Sequence, residues 1–182
     1  MAKKTQTKLT VELIPKTCHY SNVRTTIKPK DWNVLRFASY AKAKNKCEIC
    51  KEIGTEQGYP HNLECHEIWE YDDVNKIQKL VGLISLCPLC HQVKHIGRAN
   101  AMGRQAAVFK QLEAVNGWGH KQVVEHVAEA FIEYQERSQY EWLLDLSLLT
   151  EEPYNLNINL EAKRKVKRPK MKRRRRRTKA KA

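Results

Sequence analysis

The sequence predicts an α+β fold: a small strand–strand–helix core bracketed by cysteines, surrounded by helices and followed by a disordered basic C-terminal tail. Three observations predict it. Two Cys-x-x-Cys pairs, Cys47/Cys50 and Cys87/Cys90, enclose two stretches of strand character and open onto a short helix. Beyond residue 101 apolar residues recur at helical spacing. From Glu161 onward the composition turns abruptly basic and low in complexity. At 182 residues there is room for one domain with extensions: an N-terminal arm (1–30), the cysteine-bracketed core (31–100), a helical extension (101–160) and the tail (161–182).

Residues 1 to 9 are polar and basic and are expected to be loose. A helix follows from about Trp32 to Asn45, with Asp31 as its N-cap and Trp32, Leu35 and Ala38 or Ser39 facing inward. Gly54, Gly58 and Pro60 mark a loop. Leu63 to Tyr71 alternates as a strand, with Leu63, Cys65, Glu67, Trp69 and Tyr71 on one side and Glu64, His66 and Ile68 on the other. A connection of some eight residues starts at Asp72-Asp73, and Leu80 to Leu86 forms the partner strand. Pro88 opens a helix, where its missing N–H costs nothing, and Gly97 stops it. Val108, Leu112 and Val115 form one helical face before the Asn116-Gly117 break. Val123 or Val124, Val127, Phe131 and Tyr134 form another. Such stripes are first of all core. Trp142 to Leu149 reads as a short docked helix.

Four thiolates in two matched pairs suit one tetrahedral zinc ion. The 36 residues between Cys50 and Cys87 leave room for a strand pair. A zinc on Cys47, Cys50, Cys87 and Cys90 would also fix the start of a helix too short to be stable alone. Cys18 and Cys65 stand singly and read as small core residues, with Cys65, beside His66, left open as an alternative ligand.

His91 and His95 are four apart on the helix that Pro88 opens, hence on one face, and His66 comes from the strand expected to pack there. Three ligands from two elements leave metal positions open, the plan of a catalytic rather than a structural site. From Trp32 to about residue 98 the chain resembles the HNH endonuclease family. The resemblance rests on Trp32-x-x-Leu35-Arg36 before Cys47-x-x-Cys50, on Leu63-Glu64-Cys65-His66-Glu67-Ile68, and on Leu86-Cys87-x-x-Cys90-His91-x-x-Lys94-His95. It implies a ββα-metal core. It also implies a catalytic divalent ion (Mg²⁺, Mn²⁺, Ni²⁺ or Zn²⁺) on His66, His91 and His95, with Glu67 at the position of the general base. Two residues depart from the family pattern. Glu67 replaces a histidine, and Gly82 stands where an asparagine is expected, with Asn75 as a conceivable substitute. Glu67 as ligand with His66 as base is the alternative assignment. Strict strand alternation would send the two to opposite faces unless the strand is bulged there.

The net charge is +14, and all of the excess lies at one end. Fourteen of the 34 Lys and Arg fall in residues 162 to 182, which hold no acid; the other 20 match the 20 Asp and Glu of the body. Lys163, Arg164, Lys165, Lys167, Arg168, Lys170, Lys172, Arg173, Arg174, Arg175, Arg176 and Arg177 therefore read as a nucleic-acid arm acting through phosphate neutralisation, on DNA first and RNA second. No apolar stretch is long enough to span a membrane and no secretory signal follows Met1. That points to the cytoplasm, with nucleoid association, or to the nucleus in a eukaryotic host. The expected function is a metal-dependent DNA endonuclease or nickase. The alternative is a non-catalytic zinc-binding nucleic-acid-binding or adaptor protein on the same scaffold.

Overall fold

The computed structural model describes residues 8–157. Among these, six α-helices surround a three-stranded sheet. Strands β1 (Glu64–Asp72) and β2 (Ile77–Leu86) pair antiparallel, from Glu64 opposite Leu86 to Asp72 opposite Ile77. The connection is tighter than the expected eight residues. Asp72 Oδ1 accepts the N–H groups of Val74 and Asn75 at 3.0 and 2.9 Å, and Lys76 takes a left-handed φ of 56°. The chain thus reverses at once, and β2 starts at Ile77 rather than Leu80. The register slips between Ile68 and Trp69, beyond the His66-Glu67 pair.

The segment expected as a helix at Trp142 to Leu149 is instead a strand, β3 (Leu143–Asp145), and a 3-10 turn, Ser147–Thr150. The open edge of β2 offers unpaired backbone groups, and β3 pairs parallel with Ile77–Lys79 there. Leu146 and Leu149 are buried beneath it.

Helix α1 is a single turn, Val23–Thr26, and α2 runs Pro29–Lys42. Lys28, not Asp31, is the N-cap of α2, because Pro29 with its fixed φ starts the helix upstream. Asp31 instead lies in the first turn, where its charge complements the helix dipole. Helices α3 (Pro88–Lys94) and α4 (Ile96–Ala101) are separated by a break at His95 (φ −107°, ψ 45°). Gly97 lies inside α4 and is not the expected stop. Helices α5 (Gln105–Asn116) and α6 (His120–Arg137) flank Gly117, whose φ of 66° makes the expected break.

Two apolar clusters result. One joins Leu9, Val11, Leu86, Val93, Ile96, Val108, Leu112 and Val123 around α3, α5 and α6. The other joins Val23, Ile27, Leu35, Leu80, Leu146 and Leu149 beneath α1 and α2. Val123 rather than exposed Val124 is the core residue. No helix of the described residues is long and apolar enough to cross a membrane.

The N-terminal arm, from Lys8 on, is part of the first core rather than a loose segment. Asn116 Oδ1 accepts the N–H groups of Lys8 and Leu9, both at 2.9 Å, and its Nδ2 donates to Leu9 O at 2.8 Å. Val11 N–H donates to Nε2 of His126 at 2.9 Å, which requires a neutral ring; burial pushes that imidazole's pKa down. Asn116 is thus the clamp that brings residues 8–12 onto α3. Replacing it by Ala strips partners from buried backbone groups and should cost about 2–3 kcal/mol. Urea denaturation checks this: the midpoint falls with an unchanged slope, and a midpoint equal to the parent's contradicts it.

Candidate metal centres

Cys47 and Cys50 sit in a turn that docks on the end of β2. Glu48 N–H donates to Ser85 O at 2.9 Å, and Ser85 N–H donates to Glu48 Oε2 at 2.7 Å. Lys51, at φ 71°, closes the turn, its N–H donating to Cys47 O at 3.0 Å. Cys87 caps α3, its sulfur accepting from Cys90 N–H at 3.4 Å. The four Sγ atoms all lie within 4.8 Å of one another, and Cys50 and Cys87 are 3.5 Å apart. That is too far for a disulfide, whose sulfurs are about 2.05 Å apart. It matches the roughly 3.8 Å between sulfurs of a tetrahedron built on zinc–sulfur bonds of about 2.3 Å. Cys47, Cys87 and Cys90 are fully buried, and Gln111 Nε2 donates to Cys90 Sγ at 3.2 Å. Hydrogen bonds from the other three thiols, that of Cys50 first, favour the thiolate of Cys47. The four cysteines could hold a zinc ion.

Cys18 and Cys65 belong to neither metal group. Burial pushes their thiols up to about 11 and about 12. Cys65 shares the α2 side of β1 with Glu67, so alternation removes it from the ligand set.

The second group is His66, His91 and His95, whose ligating nitrogens also lie within 4.8 Å of one another. Ring centroids are 4.6 Å apart for His91–His95, 5.0 Å for His66–His95 and 5.3 Å for His66–His91. Two of the rings have a carboxylate on one nitrogen. His66 Nε2 is 3.1 Å from Glu12 Oε2, and His91 Nδ1 is 2.5 Å from Glu64 Oε2. Each keeps its other nitrogen for a metal, the arrangement that fixes ring tautomer and raises ligand basicity. Lys94 Nζ, buried, bonds Glu12 Oε1 and donates to Thr10 Oγ1 at 2.9 Å. Burial alone would raise Glu12, but the hydrogen bond from His66 and the charge of Lys94 outweigh it and bring its pKa to about 2. Burial likewise opposes ionisation of Glu64, and the bond from His91 brings it to about 2. Burial lowers His66, and burial with the neighbouring imidazoles lowers His95 to about 3, so both are neutral and ready to ligate at pH 7.

Glu67 is not in this group. It projects from the opposite face of β1, where Oε1 accepts Val23 N–H at 2.9 Å and the carboxylate also takes the Arg24 amide. Those are orphan amides of the first turn of α1. Burial pushes its pKa up despite them. The bulge that could have turned Glu67 toward His66 falls after Ile68, too late to do so. Asn75 does not replace the absent asparagine: its Nδ2 donates to Asp72 Oδ2 at 2.6 Å at the hairpin tip, about 20 Å along the strand from His66. Gly82 lies opposite Ile68, and a Cβ there would sit 3.4 Å from Ile68 Cδ1.

Glu64, Glu12 and Lys94 complete the site without belonging to the sequence-predicted set. Alternation does place Glu64 on the His66 face, a usable signal. For Glu12, distant in sequence, there was none. The basic residues Lys163 to Arg177 lie outside the described residues. The chain gives no significant match to any protein-family model, curated protein or solved structure.

Two outcomes follow from this geometry. Purified protein should carry one zinc per chain, and Cys87→Ser should lose it together with several kcal/mol of stability, since structural zinc contributes folding free energy directly. Metal analysis and thermal melts decide this; a zinc-free parent, or a variant that melts like the parent, refutes it. Separately, Glu12→Gln should weaken Co²⁺ binding at the histidine site by roughly tenfold or more, the usual effect of losing an outer-shell carboxylate. The visible absorption of the bound cobalt reports the affinity, and an unchanged affinity removes Glu12 from the site.

Proposed function

We propose that the chain is an HNH-type metal-dependent endonuclease that hydrolyses DNA phosphodiester bonds, with a zinc on the four cysteines and a second divalent ion on His66, His91 and His95. The observation that carries this reading is the convergence of three imidazoles from a strand and a helix, two of them already oriented by carboxylates. Three protein ligands leave coordination positions for water and a phosphate oxygen, and imidazole donors lean toward transition metals. A divalent ion held by these three residues would supply charge stabilisation to a phosphate and lower the pKa of a bound water. The chain's own residues hold and orient. His91 in α3 and His95 at its C-cap lie one turn apart, His66 meets them from β1, Glu12 orients His66, and Glu64 orients His91. No carboxylate beside the cluster is assigned as base. Glu67 is committed to the α1 amides, and Glu12 and Glu64, held near 2, accept a proton poorly.

That last point favours a second reading, a non-catalytic nucleic-acid-binding or adaptor protein that keeps the scaffold. Supercoiled plasmid with Mn²⁺, Mg²⁺ or Ni²⁺ separates the two. Nicking is expected, with losses of roughly 10²-fold or more in His91→Ala and His95→Ala while their melting temperatures stay close to the parent's. Glu67→Gln should keep the rate within about threefold, short of the loss expected for a general base, and should lower stability through the α1 cap instead. Absence of nicking with all three ions leaves the binding-protein reading.

A further inference from the structure

The body is neutral by count but not by place. Residues 24–46 hold seven Lys or Arg against one acid, Asp31. Arg24, Lys28, Lys30, Lys42, Lys44 and Lys46 are all exposed, and no ion pair of the described residues involves any of them. Leu35 and Ser39 are the buried side of α2. Lys30, Val34, Phe37 and Ala41, at i, i+4, i+7 and i+11, form the outward row. The Arg36 guanidinium lies 4.4 Å over the Phe37 ring, which holds a further cation flat on that surface. The fourteen residues of α2 span about 20 Å, with cations at both ends, a length matching about six phosphate steps along one DNA strand. The last described residues point the same way: Tyr154 and Leu156 pack into the cluster beneath α1 and α2. The described chain thus ends in contact with that cluster, and in sequence the first tail cation, Lys163, follows seven residues after Leu156.

We propose that the outer face of α1 and α2 is a docking surface for the phosphate backbone of duplex DNA. It extends onto the folded body an affinity that the charge count alone would give wholly to the tail. The inference rests on the nucleic-acid part of the function proposed above and not on cleavage. Val34 and Phe37 are the only large apolar side chains of the outward row. A helix lying in a membrane interface needs a broad apolar face, so discrete phosphates fit this surface better than a bilayer.

The test uses full-length chains and a 20-base-pair duplex without added divalent ion, with binding followed by fluorescence anisotropy across a salt series. Lys30→Gln, Lys42→Gln and Lys46→Gln together should reduce the magnitude of the log K against log salt slope by about 2 to 3, near 0.9 per lost contact. The same three positions changed to Arg should keep the parent slope, which separates charge from fold. Lys79→Gln, Lys110→Gln and Lys121→Gln, exposed lysines elsewhere, should leave the slope unchanged. A Lys30, Lys42 and Lys46 triple variant with the parent's slope overturns the proposal, as does an equal drop in the control triple. A variant that keeps duplex binding but loses binding to phosphatidylserine vesicles assigns the face to a membrane and also overturns it. A parent that binds duplex through α2 yet nicks no plasmid leaves this proposal standing and removes the nuclease reading.

Discussion

Cys87 is where three demands on this chain meet. It follows the last residue of β2, caps α3 through its sulfur, and belongs to the four-cysteine group. Each demand constrains the next. Cys87 has extended backbone, as an N-cap requires, and Pro88 behind it can only begin a helix. A seven-residue helix has little stability of its own. Its direction is set by tying its first turn to the Cys47–Cys50 knuckle and by burying Val93. Once that direction is set, His91 and His95 follow, one and two turns along, against β1. The four-cysteine group and the histidine cluster are therefore joined through one short helix, whose start lies in the first and whose end lies in the second.

The period of a β-strand decides what that device can do. Glu64, His66 and Ile68 face α3, while Cys65 and Glu67 face α1 and α2. One face thus receives an imidazole with a carboxylate two residues before it. The other receives a carboxylate that satisfies a helix start. Glu67 is chemically able to accept a proton, and burial even moves its pKa in the useful direction. Geometry, not acidity, removes it from the cluster. Function assigned from adjacency in sequence fails here because neighbours in a strand are back to back.

What could be read in the sequence was what short-range periodicity encodes. The two cysteine pairs, the His91–His95 spacing, the β1 alternation and the Asn116-Gly117 break all follow from patterns within a few neighbouring residues. What could not be read was set by distant partners. Leu9 and Val11 follow a lysine-rich start and look unanchored until Asn116 and His126 supply hydrogen bonds. Glu12 reaches His66 only through that anchoring. Leu143–Asp145 is apolar enough for a helix, and becomes a strand because β2 has a free edge. Gly97 carries a stop signal that the chain does not use, since the break has already come at His95.

Electrostatics also separates the two sides of the hairpin. Around the histidines, Glu12 and Glu64 are held ionised, with Lys94 set against Glu12 and His61 against Glu64. Those side chains by themselves repel a phosphate. The carboxylates cannot be dispensed with, because they orient His66 and His91. A polyanion would meet net negative charge here unless a bound cation reversed its sign, so any nucleic-acid affinity would have to come from another surface. The side of the hairpin away from α3 meets that need: α2 packs there through Leu35 and Ser39 and turns its lysines to solvent. With those cations off the α3 face, Glu12 and Glu64 stay paired with His66 and His91. The two-sided hairpin thus places a histidine cluster flanked by carboxylates on one side of the sheet and a lysine-rich helix on the other.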